Sequence, residues 1–136
     1  MKFVRVVYGL AAAYGFIVLS ASYFLLEKVG RDAPPAVTHA EFYYGFLGAA
    51  LLWQPVFVLI ARDPLRYRSL MPITVLEKLV YTVPVVILYA MGRVPSNILV
   101  PSLVDPIFGV LFVVAYFRTA ALSGSSAKRF RVTAGS

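Results

Sequence analysis

Four stretches of this chain are almost wholly apolar, and the polar residues crowd into the segments between them. The apolar runs are 3–26 (Phe3 to Leu26), 42–61 (Phe42 to Ala61), 70–91 (Leu70 to Met91) and 98–117 (Ile98 to Phe117). Each holds roughly 20 residues or more, which at about 1.5 Å of rise per residue matches a hydrocarbon core of roughly 30 Å. In lipid every backbone amide needs an internal partner, so such runs form helices or a closed barrel. Barrel strands alternate apolar and polar residues over about ten positions, and these runs do not. The pattern predicts an all-α fold: an integral membrane four-helix bundle over 1–122, followed by a flexible basic cytoplasmic tail over 123–136. Short connections predict an up-down-up-down order, with consecutive helices as antiparallel neighbours.

The first run has some features of a signal peptide: Lys2 and Arg5 precede it, and Ser20-Ala21-Ser22 resembles a small-residue cleavage site. It stays apolar beyond those residues, so it reads as a retained helix. Prolines at 55, 72, 84, 101 and 106 fall within the runs. Each interior proline lacks an N–H and frees a carbonyl that a neighbour must satisfy. Paired breaks in matching halves, which mark transporter binding sites, are not seen in the sequence. Gly9 with Ala13, Ala11 with Gly15, and Gly45 with Ala49 are small-residue pairs suited to close helix contact. Tyr8, Tyr14, Tyr81 and Tyr89 need hydroxyl partners wherever they are buried.

Composition agrees with lipid as the solvent. The chain has 136 residues, is 60% hydrophobic and only 14% charged, too apolar for one small water-soluble core. A formal net charge of +7 would ordinarily suggest nucleic acid, but most of the basic residues flank the apolar runs. Lys2, Arg5, Arg62, Arg66, Arg68, Arg118, Lys128, Arg129 and Arg131 fall on one side of the expected membrane; Lys28, Arg31 and Arg93 fall on the other. The positive-inside rule then puts both termini in the cytoplasm, N-in and C-in, with the bundle in the inner (plasma) membrane. Lys78, inside the third run, is expected to snorkel to the headgroups. Partners are the bilayer and a homo-oligomer or larger membrane complex, with no nucleic acid.

Ionisable groups inside a membrane are costly, which makes them the first functional suspects. Glu77 sits roughly 8–10 Å inside the third helix, at about 1.5 Å per residue. Thr74 and Tyr81 share its helix face, and Gln54 of the second helix lies at similar depth. These residues form a candidate intramembrane polar site. It is either a protonatable position for a proton or cationic solute, or a structural network in which Arg5 or Lys78 holds Glu77. Asp105 precedes Pro106, a pairing that suits a helix start, since aspartate caps and proline fits the first turn. The final helix is therefore expected to break between Pro101 and Pro106, with the Asp105 carboxylate on the free amides beyond. His39, Glu41, Tyr43 and Tyr44 form an outer interfacial group. His39 and Glu41, two residues apart, do not share a helical face, so no metal site is expected there.

No cofactor is implied either. Cysteine is absent, which excludes thiol redox chemistry, and one histidine cannot supply both ligands of a haem. The stretches Glu41-Phe42-Tyr43-Tyr44-Gly45-Phe46 and Val75-Leu76-Glu77-Lys78-Leu79, with the length and helix count, resemble small bacterial four-helix inner-membrane proteins of the DoxX-like kind. That resemblance implies an accessory membrane role. Small multidrug exporters carry an essential acid in their first helix, whereas no acid precedes Glu27 here; the cysteines of the vitamin K reductase type are missing too. The expectation is a non-enzymatic accessory or structural subunit, or a bundle that binds a small ligand. The rivals are an oligomeric transporter or channel using Glu77 or Asp105, and a membrane enzyme with a lipid or quinone site. The charge bias makes one firm prediction: a reporter fused after Ser136 is active only when it folds in the cytoplasm, and activity confined to the periplasm would reverse the orientation.

Overall fold

In the computed structural model, which describes residues 1–133 and their side chains through Ala121, the described residues are helical and contain no strand. The elements are α1 (Lys2–Ser22), α2 (Leu26–Asp32), α3 (Ala40–Arg62), a 3-10 turn (Arg68–Leu70), α4 (Met71–Ala90), α5 (Ser96–Ser102) and α6 (Val104–Thr133). Four helical stretches, Lys2–Ser22, Ala40–Arg62, Arg68–Ala90 and Ser96–Ala121, are long and apolar enough to cross a membrane. The tail expected over 123–136 lies outside the fully described residues.

The first apolar run is divided. At the end of α1 the amides of Tyr23, Phe24 and Leu25 bond the carbonyls three residues back, tightening the last turn. Tyr43 of α3 donates its hydroxyl hydrogen to the Ser22 carbonyl at 2.7 Å. The short α2 follows within what reads in sequence as an outer loop. Its Gly30 is buried against the returning backbone: a Cβ there would stand 3.2 Å from Ala36 Cα and Val37 N. Asn97 Nδ2 donates to the Asp32 carbonyl at 2.8 Å, tying the start of α5 to the end of α2. Helix α4 stops differently. Gly92 has φ +68°, the Gly92 amide bonds the Tyr89 carbonyl and the Arg93 amide bonds the Leu88 carbonyl. This is the glycine-terminated Schellman arrangement, in which an L side chain at the glycine would be strained.

The helices pack as two pairs. α1 lies along α3, α4 lies along α6, and α1 joins the pairs through α6. Consecutive α3 and α4, expected to be neighbours, barely touch. They share the core at their connected ends, where Ile60 and Met71 are fully buried. At the join, Tyr8 of α1 stacks on Phe112 of α6 with centroids 4.2 Å apart and rings within 3° of parallel. Phe57 of α3 sets its ring at a steep angle to both, at 6.1 and 5.3 Å. The fourth helix enters through a hydrogen bond between the Tyr8 and Thr74 hydroxyls at 2.9 Å, and Thr74 also donates to the Met71 carbonyl. One residue from each long helix thus meets at a single aromatic centre.

Of the three small-residue pairs, only Ala11 and Gly15 are both buried; Gly9 and Gly45 have no neighbouring chain against them. Outside this core the helices present apolar residues outward, such as Leu52 (74% exposed) and Ile17 (71%). An apolar surface this continuous is unusual on a soluble monomer and suits acyl chains. The aromatic centre yields a graded prediction for unfolding in mixed micelles. Tyr8→Phe, which removes one hydrogen bond but leaves Thr74 its carbonyl acceptor, costs about 0.5–1 kcal/mol. Phe112→Ala, which opens a cavity beneath Tyr8, costs roughly 3–5 kcal/mol.

Candidate functional site

Midway along α4, Lys78 is buried. Its Nζ lies 3.1 Å from Glu77 Oε2 and 3.1 Å from Asp105 Oδ1, and 5.1 Å from the centroid of the Phe57 ring. The three charged side chains are 10%, 15% and 25% exposed for Lys78, Glu77 and Asp105. This corrects the expectation that Lys78 snorkels to the headgroups. Its stem packs toward Gly109, where a Cβ would stand 3.7 Å from Lys78 Cβ, and its ammonium stays between two carboxylates. Pairing of this kind is what a charge taken from water requires.

The break in the last span places the second carboxylate. α5 ends at Ser102 and α6 begins at Val104, so the interruption falls at Leu103, between Pro101 and Pro106. Asp105 lies in the first turn of α6, where a carboxylate suits the helix dipole. The expected cap is not formed: the carboxylate reaches Lys78 instead of the free amides. An ammonium without enough counter-charge is a stronger attraction than a backbone amide.

Glu77, Tyr81, Gln54 and Asp105 all line one cavity of about 940 Å³, bounded by α1, α3, α4, α5 and α6 and by Val29 of α2. Thr74, expected to join Glu77, faces the aromatic centre and bonds Tyr8. Arg5 takes no part in holding Glu77. The cavity lies where α3 and α4 stand apart. Its walls are mainly apolar, with Trp53 and Leu47 on α3, Leu76 and Val80 on α4, and Phe108 on α6. The rings of Phe46 and Tyr81 meet across the gap, centroids 5.3 Å apart.

Two polar atoms of these side chains are fully buried without a hydrogen bond: Gln54 Oε1 and Glu77 Oε2. Glu77 Oε2 is close to the lysine without receiving a well-directed hydrogen bond, and the hydrogen bond from Nζ goes to Oε1 at 3.4 Å. Gln54 is 2% exposed; its Nε2 donates to the Ala50 carbonyl at 2.9 Å. Its carbonyl end occupies space left by Gly15, where a Cβ would come within 2.1 Å of Oε1. A glycine on α1 thus lets the amide of α3 sit at the cavity.

The outer group behaves in two ways. Tyr43 lines the cavity and closes the end of α1 through Ser22, and Tyr44 stacks on Tyr23 at 5.6 Å. His39 Nδ1 and Glu41 Oε1 are 3.1 Å apart, although two residues on a helix do not face each other. His39 precedes α3, so helical spacing does not govern it. Both side chains are exposed, and no group of metal-binding side chains occurs among the described residues.

No family model, curated protein or solved structure matches this chain. The geometry defines the site: a mostly apolar chamber with the Lys78, Glu77 and Asp105 side chains set into its wall. The ion cluster makes a testable prediction. Lys78→Met leaves two carboxylates without a cation and destabilises the protein by roughly 3–5 kcal/mol. Adding Glu77→Gln and Asp105→Asn to Lys78→Met restores most of that loss, as read by thermal aggregation in detergent. If the single and triple variants unfold alike, the three groups do not act as one cluster.

Proposed function

We propose that this protein is a non-enzymatic, multi-pass membrane bundle that holds one small amphiphilic molecule in the cavity between α3 and α4. The observation that carries this reading is the cavity of about 940 Å³, mainly apolar, with Lys78, Glu77 and Asp105 at its wall. Its volume is at the upper end of the range of roughly 300–1,000 Å³ usual for small-molecule sites. A gap of this size between helices in a membrane is filled by an apolar molecule, because unfilled volume forfeits dispersion contacts.

In this reading the helices run up-down-up-down in the inner membrane, with both termini cytoplasmic, on the strength of the basic residues that flank the spans. The layout's resemblance to DoxX-like proteins favours an accessory role within a membrane complex. The second reading is an oligomeric transporter or channel. The observation in its favour is the break at Leu103 beside Asp105, since interrupted helices border transport sites. Reading the chamber as a binding site requires only the cavity, and so it stands first.

Native mass spectrometry of the full chain, released from mild detergent, tests the proposal. The expected spectrum shows the chain with one bound small amphiphile. Ala50→Phe, which pushes a ring into the chamber, abolishes that adduct and leaves the oligomeric state unchanged. A wild-type spectrum of bare protein, with Ala50→Phe identical to it, overturns the reading. Proton flux into proteoliposomes that depends on Asp105 would favour the second.

A further inference from the structure

The chamber is open on one side. Among its lining residues, Val80 is 74% exposed, Leu76 60% and Phe46 46%. A side chain walled into a closed cavity is covered on its other faces, so exposure of this size places these residues at an opening. All three belong to α3 and α4, the two helices that barely touch. The opening is therefore a slot in the flank of the bundle, continuous with the apolar surface that suits acyl chains. The Phe46 and Tyr81 rings, with centroids 5.3 Å apart, bridge it. The chamber also has a definite length. Its lining runs from Ala11 to Ser22 on α1 and from Tyr43 to Gln54 on α3. Each interval of eleven residues rises roughly 16 Å at about 1.5 Å per residue, close to half of a hydrocarbon core of roughly 30 Å.

One end of that length lies at the helix termini, where Ser22 closes α1 and where Tyr43 and Asn97 sit in the first turns of α3 and α5. The other end lies in mid-span beside Lys78. The polar side chains at the rim bond within the protein: Ser22 to the Val18 carbonyl, Tyr43 to the Ser22 carbonyl and Asn97 to the Asp32 carbonyl. Lys78, the one cation of the lining, is already held by two carboxylates. Recognition therefore falls on an apolar chain and not on an ionic head group. We infer that the occupant is a phospholipid of the surrounding bilayer. One of its acyl chains enters sideways through the slot between α3 and α4 and lies along the chamber, with the head group at the end bordered by α2 and α5. This rests on the ligand-binding reading above and adds the class of ligand, its source and its route.

Because the chain has no cysteine, the slot can be bridged chemically. The full chain carrying Phe46→Cys and Tyr81→Cys is loaded with phosphatidylcholine in mild detergent, and half is joined across the slot with a short bis-maleimide. Wild type and both halves are then mixed with chain-deuterated phosphatidylcholine, and the bound lipid is followed by native mass spectrometry. Wild type and the unbridged variant are expected to exchange one phosphatidylcholine, and the bridged variant about tenfold more slowly. Phosphatidylglycerol with the same chains is expected to displace it equally well. Unslowed exchange in the bridged variant overturns the sideways route, and a strong preference for either head group overturns recognition through the chain. Trp53, the single tryptophan, lines the chamber and gives a second measurement that serves if the cysteine variant does not fold. Phosphatidylcholine brominated along its acyl chains is expected to quench Trp53 more strongly in wild type than in Ala50→Phe, and equal quenching overturns the inference. A bound amphiphile that bilayer lipid does not displace overturns it too, while the ligand-binding reading survives. If the chain carries no adduct at all, both readings fail.

Discussion

A lysine ammonium held away from water dictates more of this structure than any other single group. The cost of placing an isolated charge in a low-dielectric interior is large, and it falls only when counter-charges approach closely. Lys78 obtains one carboxylate from its own neighbour, Glu77, and the other from Asp105 on another helix. Asp105 reaches it from the first turn of α6, just beyond the interruption at Leu103. The helix carrying Asp105 also presents Gly109 to the lysine stem, and Phe57 turns its ring toward the ammonium. Break, glycine and aromatic ring are all arranged around one charge.

The aromatic centre and the chamber are two ends of the same packing arrangement. Tyr8, Phe57 and Phe112 bring α1, α3 and α6 together, and Thr74 adds α4. Close packing there fixes the two helix pairs at one level of the bundle. Beyond Gln54 and Lys78 the pairs part, and α2 and α5 border the space between them without filling it. Such an arrangement is closely packed at one end and open at the other, with the charge cluster at the boundary.

Much of the architecture was legible in the residues, because lipid imposes one requirement on every spanning segment. Four apolar runs of spanning length translate directly into four membrane-capable helices. The break between Pro101 and Pro106 was also legible, from the cost of proline inside a helix. The partner of Lys78 was not. Periodicity relates residues along one helix, whereas the Lys78–Asp105 pair depends on how separate helices pack. The long stem of lysine makes escape to the headgroups equally plausible from sequence. Thr74 was misplaced for a related reason: residues three apart share a broad face, and packing decided that Thr74 turns to Tyr8 while Glu77 turns to the chamber. Gln54 carried a signal, an amide in the middle of an apolar run. Its dependence on Gly15 of another helix had none beyond a glycine in a small-residue pair.

The adjacency of Glu77 and Lys78 matters for how the chain is made. Segments leave the ribosome in order, so α4 meets the translocon before Asp105 has emerged from the ribosome. A lone lysine or acid at a helix centre costs roughly 2.5–3.5 kcal/mol on insertion scales. With the two opposite charges side by side on α4, the segment carries a counter-ion of its own while the rest of the chain is still being translated. Asp105 then arrives with the final span and becomes the third member of a pair already formed, so the last helix docks onto a charge whose heaviest desolvation cost was met one helix earlier.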